Sequence, residues 1–261
     1  MSGVERTAGG PRTGMLPAET RCRVEADESS ATVRLSGMLD PVAVDRVRDA
    51  LLARLCDRPG PIVVDLAELR ATGDAAGRLL TDVRHAVVDW PAADVLVVDP
   101  AGTVGGAAAA ELGSCATMDE ALATLARRPM AAVLDAELPP AVDAARRARA
   151  MVADGCARWG VPELTEPGCI AVTEMVNNVV AHALTPMTVR LAPRDSSLHV
   201  AVRDHSPRQP ASPGLAPPTS TGGRGLLLID TVTRRWGSTA VPNGKVVWCV
   251  LDVEDEAPRR G

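Results

Sequence analysis

The order of the apolar segments is the feature that most constrains how this chain of 261 residues can fold. In the first half, short runs with strand periodicity alternate with longer runs of helical periodicity, which is typical of a small α/β domain. In the second half, two helical patterns precede a strand-rich tail, which indicates one sheet covered by helices on one face. The sequence therefore predicts a disordered arm over residues 1–20, a first domain over 21–128 and a second domain over 129–255.

Individual segments follow from periodicity and from the Gly and Pro positions. In the first half we expect strands at 31–37, 61–66 and 94–99, with helices at 41–55, 75–88, 103–112 and 118–128. Residues 129–138 are either a strand or a linker. In the second half we expect helices at 140–158, 166–184 and 224–236, with strands at 187–192, 197–204, 238–241 and 245–253.

Composition and charge narrow the classes of partner. The net charge is −5, and Phe and Tyr are absent, so the chain offers neither a basic surface nor the usual base-stacking platforms for nucleic acid. Six scattered cysteines form no CxxC pair and show no metal-ligand spacing with the four histidines, as in a protein of a reducing compartment. With no apolar stretch of about 18 residues and no signal core, we expect a cytoplasmic protein that binds neither membrane nor nucleic acid.

A polar stripe runs along the apolar helix predicted at 166–184. Because an α-helix turns about 100° per residue, Glu174, Asn178 and His182 share one side. The opposite side holds Val172, Val176, Val179 and Ala183. A solvent-facing stripe normally carries Lys, Arg and several Glu, so these short hydrogen-bonding groups favour a helix that faces a ligand. A partly buried helix with satisfied polar groups is the alternative.

Two further segments of the second half carry polar or glycine-rich positions. Asp204 ends the alternating strand S-L-H-V-A-V-R-D, and Gly222, Gly223 and Gly225 open the next predicted helix. Each feature alone is a weak signal, because a carboxylate at a strand end often forms a turn and glycines often provide a flexible helix entry. Their order along the chain is more specific than any one of them.

Four phrases, E-M-V-N-N-V-V-A-H-A, V-R-D-H-S-P, G-G-R-G-L-L-L-I-D and G-K-V-V-W-C, carry a family resemblance. In this order they resemble the conserved boxes of the GHKL (Bergerat-fold) ATPases, and the resemblance covers essentially residues 130–253. It is strongest to the small serine kinases that act as anti-sigma factors in bacterial partner switching. The implied fold of this half is an α+β sandwich, and the implied ligands are ATP and Mg²⁺.

The resemblance also implies roles for individual residues. Asn178 would coordinate Mg²⁺ through its carbonyl oxygen, and Glu174 would orient or deprotonate the attacking hydroxyl. Asp204 would accept the amino group of adenine. The glycine-rich helix start, formed by Gly222, Gly223, Arg224 and Gly225, would cradle the phosphates. The proline-rich loop 207–222 would be a lid over the nucleotide.

The first half resembles a STAS domain, the fold of the anti-sigma factor antagonists that such kinases phosphorylate. Its strands V-R-L-S-G-M-L-D and P-I-V-V-D-L-A-E-L and its turn D-A-A-G over residues 74–77 carry this resemblance. Phosphorylatable members have Asp-Ser-Ser-Gly at that turn, whereas this chain has Ala75 and Ala76. No hydroxyl is present there to accept phosphate.

These expectations combine into one functional hypothesis with two alternatives. The leading hypothesis is an ATP-dependent protein serine/threonine kinase of the anti-sigma type, acting on a STAS-domain anti-sigma factor antagonist and able to sequester a sigma factor. Such kinases are often dimers, so a homodimer is also to be considered. The alternatives are a non-catalytic switch, whose nucleotide occupancy changes partner binding, and an interaction scaffold without nucleotide. The presence of Glu174 beside Asn178 favours chemistry, because a pure binder has less need of the glutamate.

Overall fold

The computed structural model describes residues 21–26, 30–127, 132–206 and 224–253, which form two sheets with helices packed on them. The first sheet has the order β1-β2-β3-β4, with β1 antiparallel to β2 and the other pairs parallel. The strands of this sheet and the helices between and after them are, in chain order, β1 (Arg23–Ala26), β2 (Thr32–Leu39), α1 (Pro41–Asp57), β3 (Ile62–Ala71), α2 (Ala75–Val87), β4 (Val95–Val98), α3 (Gly106–Leu112) and α4 (Met118–Arg127).

The second sheet is antiparallel throughout and has the order β5-β6-β7-β9-β8. Its elements are β5 (Leu134–Leu138), α5 (Ala144–Trp159), α6 (Thr165–Asn178), β6 (Met187–Arg194), β7 (Ser197–Asp204), α7 (Arg224–Val232), β8 (Arg235–Val241) and β9 (Gly244–Asp252). Helices α5, α6 and α7 pack on one face of this sheet through a shared apolar core. No helix in the described ranges combines the length and apolarity needed to cross a bilayer.

The predicted mixture of helices and strands is confirmed, and the differences have local causes. The helix predicted at 224–236 ends at Val232, because Arg235 and Trp236 pair in β8. The ambiguous segment 129–138 contains strand β5, which pairs with β6. The sequence reading missed β1, because its four residues are largely exposed and lack an apolar run. The arm predicted at 1–20 lies outside the described residues.

Strands β6, β7 and β9 of the second sheet are buried on both faces, which corrects the expectation of a sheet covered on one face only. Along β7, Val200 and Val202 belong to the core beneath α5–α7. Ala201, between them, points to the other face and packs into the core of the first half. Val241 and Val246 of β8 and β9 do the same. The first half therefore covers the face of the sheet that α5–α7 leave open.

Arg190 of β6 joins the two halves at the C-terminal end of α1. Its guanidinium donates to the carbonyl oxygens of Leu55 at 3.2 Å and Cys56 at 3.0 Å, while Nε donates to Asp135 at 2.8 Å. The last carbonyl groups of a helix have no partner within the helix, and they carry the negative end of its dipole. Arg190 therefore satisfies two acceptors of α1 and is itself neutralised by Asp135.

The C-terminal end of α2 meets the same face of the sheet through a second group of contacts. Arg194 donates to the carbonyl oxygen of Val88 at 2.6 Å, and Nδ1 of His199 donates to the carbonyl oxygen of Asp89 at 2.9 Å. The carboxylate of Asp89 accepts two hydrogen bonds from Arg235, at 2.9 and 2.6 Å. A bidentate arginine–carboxylate pair of this kind fixes the relative orientation of the two side chains as well as their distance. Together with Arg190, these contacts fix the positions of the C-terminal ends of α1 and α2 on this face of the sheet.

His199 provides a test of this interface through pH. Burial lowers the pKa of His199, and the hydrogen bond to Asp89 only partly opposes this. Because the folded-state pKa lies below the unfolded value of about 6.5, its stabilising contribution is lost as the pH falls from about 6.5 toward the folded-state pKa. Between pH 7.5 and 5.5, we expect His199 to account for a loss of up to about 1.4 kcal/mol of unfolding free energy.

Denaturant unfolding of the full chain at both pH values measures this loss. His199→Gln should remove that part of the pH dependence, whereas His182→Gln, which alters an exposed histidine, should keep it. An unchanged pH dependence in His199→Gln would contradict the assignment of a buried, neutral imidazole at the interface.

Candidate functional site

Helix α6 carries the polar stripe, and its packing confirms the predicted core side. Val172, Val176 and Val179 are buried against the sheet. A Cβ on Gly168 would lie 2.9 Å from Cγ1 of Val152, so this glycine allows α6 to approach α5 closely. The close packing fixes the rotation of α6 and therefore the direction of its remaining side chains.

The helix widens where its polar stripe ends. Val179–Ala183 form a π turn, closed by a hydrogen bond of 2.8 Å from the N–H of Leu184 to the carbonyl oxygen of Val179. Leu184 then adopts a left-handed conformation with φ of 57° and ends the helix. Such π turns are frequent at functional sites. His182 lies in this turn and is exposed, so it does not continue the stripe in regular α-helical geometry.

Glu174 and Asn178 lie together on the flank of α6 that faces away from α5. Thr173 marks the α5 flank, because its hydroxyl accepts a hydrogen bond from Arg149 at 3.2 Å. Helical geometry places Glu174 and Asn178 on the other flank, toward α7, which also contacts α6. Both side chains are half-buried, and within the described part of the chain neither has a hydrogen-bond or ion-pair partner. Their oxygen atoms are therefore available to a ligand.

Asp204 lies at the edge of the sheet where α6 ends. It is the last residue of β7 and pairs in register with Met187, the first residue of β6. The N–H of His205 donates to the hydroxyl of Thr185 at 3.1 Å, which links the end of β7 to the segment after the π turn. Asn178 and Asp204, 26 positions apart in sequence, thus come to the same end of the domain.

The N-terminal end of α7 points toward the same edge. Only two residues separate Val232, the end of α7, from β8, and β8 begins in the row of Val250 at the opposite end of the sheet from Asp204. Because Ile229 is buried on the sheet, α7 runs back over it and begins near the Asp204 edge. Arg224 and Gly225 form the first turn of α7. Gly222, Gly223 and the predicted lid lie outside the described residues.

Asp204 is held by a partner that sequence reasoning missed. Its carboxylate accepts from Nζ of Lys245 at 2.8 Å through Oδ2 and at 3.1 Å through Oδ1. Oδ1 also accepts the N–H of Ser206 at 2.8 Å. Asp204 is 1% exposed and Lys245 is 7% exposed, so this is a buried ion pair. One signal pointed to it: Lys245 is the only lysine of the chain and begins the apolar strand K-V-V-W-C-V-L.

Gly244 allows β9 to approach the end of β7. A Cβ at this position would overlap the backbone carbonyl oxygen of Asp204 and also crowd Cα of His205. Asn243, just before it, has φ of 60° and completes the tight turn from β8. This turn places Lys245 directly opposite Asp204.

The donor set at this edge fits a hard cation shared with phosphate groups. Among the described residues, no cluster of three or more His, Cys, Asp or Glu side chains forms a protein-only metal cage. Mg²⁺ usually keeps several waters and takes one or two protein oxygens together with those of a nucleotide. The amide oxygen of Asn178, at the end of the domain where α7 begins, suits that mode of binding.

Comparison with known proteins identifies the domain to which this edge belongs. Residues 138–251 match the model of the histidine kinase-like ATPase domain. An uncharacterized protein of Streptomyces coelicolor, SCO4941, is 39% identical over 82 residues, which are 30% of this chain and 78% of that protein. The chain belongs to the family of proteins with a histidine kinase-like ATPase domain, a domain type that implies ATP binding.

One solved structure is also similar to this chain, the RsbU and RsbW domains of Rv1364c from Mycobacterium tuberculosis. The identity is 19% and the TM-score is 0.36. The match covers 46% of this chain and 32% of that one, so this chain spans about a third of that structure. The GHKL-type assignment rests on the family match, and the STAS-like assignment of the first half stays a prediction.

The close approach at Gly244 can be tested by substitution. Gly244→Ala should push β9 away from the end of β7 and lower the unfolding free energy by about 1–3 kcal/mol, as overpacking does elsewhere. Gly105→Ala is the matched control, because a Cβ there meets nothing within 4 Å. Chemical denaturation of both variants gives the comparison, and equal stabilities would contradict the close approach.

Proposed function

We propose that this protein is an ATP-dependent protein serine/threonine kinase of the anti-sigma type. The proposal is supported by the end of the domain toward which α6 with Glu174 and Asn178, the end of β7 with Asp204 and the first turn of α7 are all directed. Within the described ranges, Glu174 and Asn178 have no hydrogen-bond or ion-pair partner, and Asp204 is a buried carboxylate. The match to the histidine kinase-like ATPase domain supports ATP as the ligand.

Asn178 and Glu174 would have different roles near the phosphate groups of ATP. Asn178 would hold Mg²⁺ through its carbonyl oxygen, and the bound ion would neutralise charge on the phosphate oxygens. Glu174, one turn earlier on the same flank, would orient the acceptor hydroxyl and take its proton. Phosphoryl transfer depends mainly on positioning and electrostatics, so a single carboxylate beside the cation is an adequate protein contribution.

The end of β7 and the glycine-rich start of α7 would bind the base and the phosphate groups of the nucleotide. Asp204 would accept the amino N–H of adenine. The N–H groups at Gly222, Gly223, Arg224 and Gly225 would bind phosphate oxygens, since the first N–H groups of a helix have no partner within it and carry the positive end of its dipole. Loop 207–222 would close over the nucleotide.

The proposed substrate is a separate STAS-domain anti-sigma factor antagonist. The first half, residues 21–128, is itself proposed to be STAS-like but unable to accept phosphate. Ala75 and Ala76 at its D-A-A-G turn are buried in the core of that half. Moreover, this turn begins α2, whereas the hydrogen bonds between this segment and the ATPase sheet lie at and just beyond the other end of the helix, at Ala86, Val88 and Asp89. The 13 residues of α2 separate the two ends by about 20 Å.

The first half is therefore proposed to act as a resident regulator that docks on the ATPase domain without offering it a phosphoacceptor. Its contact is with the sheet face opposite α6, so it does not lie over Glu174 and Asn178. This arrangement also favours the second candidate function, a switch in which nucleotide occupancy changes partner binding. Binding of a sigma factor and formation of a homodimer stay predictions.

Two substitutions on α6 separate nucleotide binding from chemistry. Asn178→Ala should lose the Mg²⁺-dependent part of ATP affinity, because it removes the proposed cation ligand. Glu174→Gln should bind Mg-ATP nearly as wild type does, yet lose phosphotransfer to a verified STAS-domain partner, because the amide cannot take a proton. Calorimetry and single-turnover phosphorylation measure the two effects.

The control for these variants is Asn177→Ala, an exposed neighbour on the same helix. It should behave as wild type in both assays. Full phosphotransfer by Glu174→Gln would refute the kinase mechanism, while Mg²⁺-dependent binding of ATP without any transfer in wild type would favour the switch.

A second prediction concerns the first half as a substrate. When the full chain is incubated with Mg-ATP and a STAS-domain partner, residues 70–80 should stay unmodified while the partner gains phosphate. Ala76→Ser should stay unmodified as well, because position 76 is only 1% exposed and lies far along α2 from the ATPase domain. Phosphopeptide mapping decides the matter, and phosphate within 70–80 of the wild-type chain would contradict the docked arrangement.

A further inference from the structure

The Asp204 carboxylate has a limited number of acceptor positions, and most are already used. Two carboxylate oxygens offer about four lone-pair positions in total. Oδ1 accepts both from Lys245 and from the N–H of Ser206, whereas Oδ2 accepts, among the residues that the structure describes, from Lys245 alone. One acceptor position therefore remains on Oδ2 for a ligand.

The Lys245 ammonium also has capacity left. It carries three N–H donors, and Asp204 can engage at most two of them through its two oxygens. No other described residue engages Nζ, so a third donor remains on it, 2.8 Å from Oδ2. The buried pair thus presents one acceptor and one donor side by side.

We propose that Lys245 is a specificity-determining residue that reads the base together with Asp204. Oδ2 of Asp204 accepts from the 6-amino group of adenine, and Nζ of Lys245 donates to the adjacent ring nitrogen N1. This inference rests on the proposed function, in which the Asp204 edge receives the adenine of ATP. It adds a ligand-contacting residue, because neither the sequence motifs nor the family match assigns a role to Lys245.

The donor and acceptor order of the base suits this pair. Adenine places an N–H donor beside a ring acceptor, while guanine has the reverse order, with a carbonyl oxygen at C6 and an N–H at position 1. Guanine in the same position would set its carbonyl oxygen against Oδ2 and its N–H against the ammonium. Because both residues are buried, such mismatched groups would lack water as a substitute partner, which makes discrimination strong.

A purely structural role is the competing explanation for Lys245. A buried carboxylate needs a compensating cation, and removing one partner of such a pair is destabilising in any case. Loss of overall ATP affinity in a Lys245 variant would therefore not separate the two roles. The separation requires a ligand that lacks only the atom Lys245 is proposed to contact.

The ligand 1-deaza-ATP provides that test, since it keeps the 6-amino group and replaces N1 by C–H. Calorimetry on the full chain should show that wild type binds 1-deaza-ATP at least about tenfold more weakly than ATP, as expected for loss of a hydrogen bond to a charged donor. In Lys245→Met, ATP and 1-deaza-ATP should bind equally. Lys245→Arg, which retains a cationic donor, should keep a preference for ATP.

Each other outcome has a defined meaning. Equal affinity of wild type for the two ligands would overturn the inference without any variant, even if Lys245→Met failed to fold. Tighter ATP binding by Lys245→Met would also overturn it, because the ammonium would then compete with the base. Absence of ATP binding by wild type would overturn the proposed function itself, whereas measurable ATP binding without N1 discrimination would overturn only the role of Lys245.

Discussion

Burial of both faces of strands β6, β7 and β9 is the constraint from which the other features of the second half follow. Strand β7 is buried from Leu198 to Val202 on both of its sides, so it has no solvent-facing row. Polar groups on such a sheet must either be paired or lie at its edge. Arg190 and His199 meet the first condition by bonding the ends of α1 and α2. The proposed nucleotide site meets the second.

Much of the second half could be predicted because its signals are local. Helical periodicity identified the core side of α6, and the resulting rotation fixed the flank that carries Glu174 and Asn178. Alternation along S-L-H-V-A-V-R-D gave the bounds of β7 and put Asp204 at its end. Such patterns record which side of an element is buried. These patterns do not record what buries an element or what binds to it. The roles of Glu174, Asn178 and Asp204 in nucleotide binding and phosphoryl transfer therefore stay predictions.

The features that escaped prediction depend on distant backbone or on single contacts. The acceptors of Arg190 and Arg194 are carbonyl groups at helix ends, which have no side-chain signature in the sequence. His199 sits at a position that alternation assigns to a polar face, although the first half buries it. The π turn arises where α6 must end and turn into β6. Lys245 had no predicted role, because its pairing with Asp204 depends on the register of β7 and β9.

The interface and the proposed site share the same two strands. Arg203 and Asp204 are neighbours on β7, and they point to opposite faces: Arg203 contacts Asp57 of α1 at 2.6 Å, while Asp204 contacts Lys245. On β9, Lys245 is likewise followed by Val246, which packs into the core of the first half. No loop separates the two sets of contacts. A displacement of either strand would therefore alter both of them, so the first half can influence the Asp204–Lys245 pair without covering the proposed nucleotide site.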